Sequence, residues 1–181
     1  MEANELKFEL NIQPDEWAEA PENQKEVFGV FNIRRHLEVD APPEALSSDP
    51  NVLRENGYTL YLVRGYVHSG VALALAEDAS GYPFDCPFDS GWAGFIAVDP
   101  KAVPDTHAAA KCLIDEWNMY LSGDVWQYDI YQVEVCNLGH GHKTKIESCG
   151  NFYGRKHAEE EGQAALRHVR ENYQQQMRCV V

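Results

Sequence analysis

Residues 82–99, YPFDCPFDSGWAGFIAVD, organise the reading of this chain. Pro83 and Pro87 fix their own φ and push Tyr82 and Cys86 toward extended backbone, and Asp89-Ser90-Gly91 carries the chemistry of a turn. A shaped loop therefore runs straight into an apolar strand at 92–98. Such a loop either carries binding groups on a rigid strand or plugs the end of a core with its aromatics. The residue chemistry favours the plug.

Working outward, residues 58–67 (YTLYLVRGYV) are aromatic and β-branched, and 71–76 (VALALA) follow His68-Ser69-Gly70, which predicts a hairpin with Gly70 at its turn. Residues 27–39 (VFGVFNIRRHLEV) read as one strand, and 41–51 (APPEALSSDPN) as a flexible Pro- and Ser-rich connection. At 7–13 (KFELNIQ), Phe8, Leu10 and Ile12 alternate with polar residues, the pattern of a half-buried strand. Pro14 and Pro21 bracket DEWAEA and limit any helix there to about a turn or two.

Downstream, Asp105-Thr106 can cap a helix over AAAKCLIDEWNMYL, with Ala109, Cys112, Leu113, Glu116, Trp117 and Tyr120 on one side and Gly123 as its stop. Residues 124–135 and 145–154 read as strands paired across the turn NLGHGHKT. Residues 157–176 form a charged helix with Ala164, Ala165, Leu166, Val169 and Tyr173 inward despite Gly162. Hairpins followed late by helices predict an α+β domain, a mostly antiparallel sheet with two principal helices packed on one face.

The chain has 181 residues, 44% of them apolar, which is enough for one domain with its own core. It has neither an apolar run long enough to span a membrane nor the pattern of a secretory signal, so a cytoplasmic protein is expected. Cys86, Cys112, Cys136, Cys149 and Cys179 are odd in number and irregularly spaced, which fits reduced thiols.

Fifteen basic residues stand against 29 acidic ones, a formal net charge of −14. Across the span of roughly 40 Å expected for this length, the excess is on the order of one charge per 3 Å, about half the axial density of duplex DNA. Direct nucleic-acid binding is not expected on that balance, whereas competition for a nucleic-acid binder is allowed. Residues 1–50 hold 12 acidic and 4 basic residues, so the acidity is concentrated toward the N-terminal end.

Catalytic constellations are thin. Cys136, His140, His142 and Cys149 are the residue types that bind zinc, and the turn between paired strands would bring them near one another, but their spacing matches no common zinc pattern. For Cys86 or Cys149 as a nucleophile, with His140 or His142 as base, nothing in the sequence fixes the geometry, and Cys86, flanked by Asp85 and two prolines, has no neighbouring cation to favour the thiolate. The carboxylate pairs Asp85 with Asp89 and Asp124 with Asp129 are unremarkable in a chain this acidic. No phosphate loop, dinucleotide fingerprint or Ser-centred elbow is present, and neither a cofactor nor a metal is expected.

Three separated pieces carry a resemblance: 82–99, YLSGDVWQYDIY at 120–131, and ESCGNFYG at 147–154. Together they resemble a family of small acidic proteins of bacteriophages and mobile elements, with a match over about residues 58–160. Cys86, Trp92, Asp124, Trp126, Cys149 and Tyr153 fall on its motif positions, and Gly150-Asn151 depart from the aromatic-Gly expected there. The resemblance implies a non-enzymatic anti-defence role, since some similar proteins are anti-CRISPR inhibitors of type II RNA-guided DNA nucleases. The partner it implies is such a nuclease, guide-loaded, in the cytoplasm of a bacterial host. A DNA-mimicking acidic surface would meet its basic channel, with Asp15, Glu16, Glu19 and Glu22 as the first contact residues and Asp85 and Asp89 as the second. The alternatives are a cysteine- or metal-dependent enzyme acting on a defence protein and a non-inhibitory accessory protein.

Overall fold

Alternating and β-branched segments dominate the chain, and the computed structural model arranges them in two antiparallel sheets, with 41% strand and 29% helix. It describes residues 7–33, 37–39, 42–43, 46–135 and 141–179. The α+β class expected from the sequence holds, and every strand pair among the described residues is antiparallel. The two long helices pack one to each sheet. The chain divides into two compact units, Met1–Glu19 with Asp124–Val181, and Ala20–Gly123.

The first unit joins β1 (Lys7–Pro14), β7 (Val125–Val135) and β8 (Gly141–Tyr153) in the order β1-β7-β8, followed by α3 (Arg155–Cys179). The alternation of Phe8, Leu10 and Ile12 places them on the face that also carries Tyr128, Ile130 and Phe152, where Leu166, Ala165 and Val169 of α3 pack. Ala164, expected inward, is exposed. Gly162 explains the close seating of α3: a Cβ there would lie 3.0 Å from Leu10 Cδ1 and 3.1 Å from Tyr128 Cβ. The glycine is the contact point, not a defect tolerated in the helix. Residues 141–144, expected in a turn, belong to β8.

The second unit orders its sheet as β3-β2-β6-β4-β5. Here β2 is Val27–Ile33, β3 is Leu37–Val39, β4 is Thr59–Val67, β5 is Val71–Leu75 and β6 is Ser90–Val98. The single strand expected at 27–39 is thus two, paired antiparallel from Phe31↔Val39 to Ile33↔Leu37. The short helix α1 (Pro50–Glu55) starts inside the expected connection, with Asp49 capping Asn51 N at 2.8 Å and Pro50 at its first position.

Helix α2 (Thr106–Ser122) covers one face of this sheet. Asp105 accepts from Ala108 N at 3.0 Å, and Gly123 closes the helix in the left-handed region at φ 75°. Its buried residues are Ala110, Leu113, Ile114 and Trp117, so the inner face is turned from the one expected. Cys112 is exposed. Asn118 hydrogen-bonds both the N–H and the carbonyl of Leu73, at 2.8 and 2.9 Å, on the edge strand β5. Gly94 lies at the crossing of β6 with β2, at φ 143°, and a Cβ there would stand 2.0 Å from the Val30 carbonyl oxygen.

Candidate functional site

In the first unit, the acidic segment after β1 is a clamped turn rather than a helix. Asp15 Oδ1 accepts from Trp17 N at 3.0 Å, and its Oδ2 accepts from Asn151 N at 2.7 Å. Asn151 sits in the left-handed region at φ 64°, and its side-chain oxygen accepts from Glu19 N at 2.9 Å. A Cβ on Gly150 would fall 2.3 Å from Asp15 Oδ2, so glycine is what admits the carboxylate. Gly150 and Asn151 thus both serve this turn directly. Tyr153 completes the clamp by donating its hydroxyl to Glu19 O at 3.1 Å.

This clamp holds Trp17 86% exposed between Glu16 and Glu19, which are also exposed. Neither carboxylate has an ion-pair partner among the described residues. Nearby, Asp124 Oδ1 accepts from Trp126 Nε1 at 2.6 Å, and the Arg155 guanidinium lies 5.1 Å over the Trp126 ring while bonding Glu159 at 2.8 Å. Asp124, Trp126 and Tyr153 thus fasten strand, helix and turn together.

On β7, Asp129 is 1% exposed and accepts from Ser148 Oγ at 2.6 Å, Gln13 Nε2 and Lys145 Nζ at 3.0 Å, and Tyr131 OH at 3.2 Å. Burial pushes its pKa up, but the hydrogen bonds from Ser148 and Lys145, the Lys145 charge and the Tyr131 hydroxyl outweigh it and hold the carboxyl below its ordinary 3.8. The same bond to Asp129 raises the Lys145 pKa. Asp124 precedes β7 and Asp129 lies near its middle, about 16 Å apart at ~3.3 Å per residue, so they do not form a pair.

The zinc set does not assemble as expected. Cys136 and His140 lie outside the described residues, while His142 pairs with Glu134 and Cys149 with Tyr128 in the β7–β8 ladder. Seven residues of strand separate His142 from Cys149 by roughly 23 Å, so one hairpin tip cannot gather both. Among the described residues no cluster of three or more His, Cys, Asp or Glu could hold a metal.

In the second unit, the loop before β6 departs from the plug reading. Arg64 Nη2 donates to Phe84 O at 2.9 Å and to Ser90 Oγ at 3.3 Å, and Ser90 Oγ bonds Phe84 O at 2.8 Å and Cys86 O at 2.5 Å. With the backbone knotted onto Arg64, Phe84 is half-buried and the other three aromatics turn outward: Tyr82 is 80%, Phe88 88% and Trp92 65% exposed. Cys86 Sγ donates to Asp89 Oδ2 at 3.6 Å, and His68 Nδ1 lies 3.3 Å from the same oxygen. Asp85 is exposed without an ion-pair partner among the described residues. Ile33, Gly65, Val67, Phe88, Gly91 and Trp92 bound a groove of about 220 Å³ beside the loop.

The expected contact residues thus divide. Asp15 and Asp89 are committed to local structure, whereas Glu16 and Glu19 in one unit, and Glu22 and Asp85 in the other, face solvent. The sequence reading missed the exposed Tyr82, Phe88 and Trp17; the prolines and the Asp15-x-Trp17 spacing were signals of a held turn, though not of its direction. Among the described residues no helix is long and apolar enough to cross a membrane. Comparison with protein-family models, with curated proteins and with solved structures finds no match.

Proposed function

We propose that this protein is an anti-defence inhibitor that acts by binding, with a guide-loaded type II CRISPR nuclease as its partner and the cytoplasm of a bacterial host as its place of action. The observation that carries the reading is Trp17, 86% exposed and held by Asp15, Gly150 and Asn151 between two unpaired carboxylates. Ordering the backbone that carries an exposed tryptophan costs conformational entropy, and an aromatic presented beside free charges is the composition of a binding hot spot. The net charge of −14 adds attraction to a basic channel and repulsion from nucleic acid itself. The motif resemblance supplies the class of partner.

The test is a titration into DNA cleavage by a preassembled guide-loaded type II nuclease, with a restriction endonuclease in parallel. Selective inhibition saturating near one-to-one is expected. Charge reversal of Glu16, Glu19, Glu22 and Asp85 should weaken it and flatten its salt dependence; Asp15 and Asp89 are left intact because reversing them would break the turns they hold. Inhibition of both enzymes would indicate a general DNA mimic. Inhibition of neither would reject the reading.

A further inference from the structure

We infer that the exposed end of the β4–β6 face, from Leu62 to Tyr66 and beyond the part where Leu53 of α1 packs with Phe95, Ala97 and Leu60, is a docking surface for an arginine-bearing segment of a basic partner protein, an inference that rests on the binding role proposed above. Alternation along β4 puts Leu62, Arg64 and Tyr66 on one face of the sheet, opposite the face that α2 covers. The β4–β6 register sets Trp92 beside Arg64, whose guanidinium lies 5.5 Å from the ring centroid. Tyr82 meets Tyr66 edge to face, with centroids 6.0 Å apart and hydroxyls 3.2 Å apart. Leu62, Tyr82 and Trp92 are 49%, 80% and 65% exposed, so one continuous row of strand and loop side chains carries three large exposed apolar groups.

Single exposed apolar residues are ordinary, but a row of Tyr, Trp and Arg pinned to strands is the residue set enriched at interface centres. Its rigidity is visible in the bonds from Arg64 to Phe84 O and Ser90 Oγ, which fasten the loop carrying Tyr82 to the sheet. The entropy of holding these rings is therefore lost on folding rather than on binding.

Charge selects the occupant. A second copy of the chain would bring another −14 against the first, and a nucleic acid would be repelled in the same way. A cationic protein segment is attracted by the whole molecule and also finds the exposed Asp85 on the loop that bears Tyr82 and Phe88. Guanidinium suits the surface better than ammonium. It can stack flat on aromatic rings, and its remaining N–H groups can bond carboxylates in a fork.

The probe is a glycine-flanked arginine peptide, with its lysine counterpart, titrated into the isotopically labelled full chain at low salt. Resonances of Trp92 and Tyr82 should shift and saturate with the arginine peptide, and the lysine peptide should bind about threefold more weakly or worse. The backbone amides of Leu62 and Tyr66 should shift as well, and Trp92→Ala with Tyr82→Ala should abolish those amide shifts, whereas Trp17→Ala should leave them unchanged. Both are exposed positions, and the spectrum itself reports whether the fold survives. Equal binding of the two peptides, or shifts centred on Glu16 and Glu19, would overturn the inference. So would self-association of the wild type that the double variant loses. In the nuclease titration the double variant should weaken inhibition by about tenfold or more. If wild-type protein does not inhibit the nuclease, the choice of partner falls, and the peptide titration alone decides the surface.

Discussion

Asp129→Asn removes one charge from the interior of the three-stranded sheet while keeping the side chain's shape. The carboxylate receives four donors, two on each oxygen: Lys145 and Ser148 on Oδ1, Gln13 and Tyr131 on Oδ2. An asparagine offers one acceptor oxygen, so its amide group must face one of these donor pairs. If it faces Gln13 and Tyr131, the tyrosine hydroxyl can turn to accept. Gln13 can turn only by giving up the bond its Oε1 accepts from Asn11 at 3.1 Å. Bonds to a charged acceptor contribute about 1.5–3 kcal/mol against about 0.5–1.5 for neutral pairs. Weakening those from Gln13, Tyr131 and Ser148 by somewhat under 1 kcal/mol each comes to about 2 kcal/mol. Lys145 is left out of the sum because it is half exposed and water can take over its charge.

The assay is native-state hydrogen exchange at the β7 and β8 amides, where 2 kcal/mol corresponds to about thirtyfold faster exchange. The pH dependence has a definite sign. A carboxyl held below its ordinary 3.8 in the folded state contributes stability that is complete above that value and is lost as pH falls through the depressed one. The gap between wild type and Asp129→Asn should therefore stay constant from about pH 7 to pH 5 and close only below about 3.8. Equal exchange at pH 7, or a gap that persists undiminished at about pH 3, would refute the account of Asp129.

Two further outcomes follow from close approaches. Gly94→Ala would place a Cβ 2.0 Å from the Val30 carbonyl oxygen at a φ of 143°, so β2 and β6 must separate. A loss above about 3 kcal/mol is expected, read as a fall in Tm or in soluble yield, and a near-normal Tm would contradict the crossing described. Gly150→Ala should expel the Asp15 carboxylate, free the turn bearing Trp17 and increase the mobility of its indole by NMR. In a double-mutant cycle its effect and that of Asp15→Ala should be far from additive, because both remove the same clamp; additive effects would separate them.

Much of this architecture was legible in local pattern. The alternation at Phe8, Leu10 and Ile12, the Asp105 cap, the Gly123 stop and the Gly70 hairpin all appear where periodicity and capping place them. These features depend on a residue and its near neighbours, which is the information a single sequence carries. The α+β class follows from their order, and the charge of −14 needs no structure at all.

Tertiary structure decided which groups are covered. Whether the aromatics of 82–92 plug a core or face solvent depends on Arg64, which binds Phe84 O and Ser90 Oγ from another strand and leaves Tyr82, Phe88 and Trp92 outside. Whether Asp15 is a free charge depends on Gly150 and Asn151, more than 130 residues along the chain. The helix face of α2 rotated because the sheet, not the helix period, chose which side to bury. In each case the deciding contact comes from a residue distant in sequence, and burial is a property of that contact rather than of the residue itself.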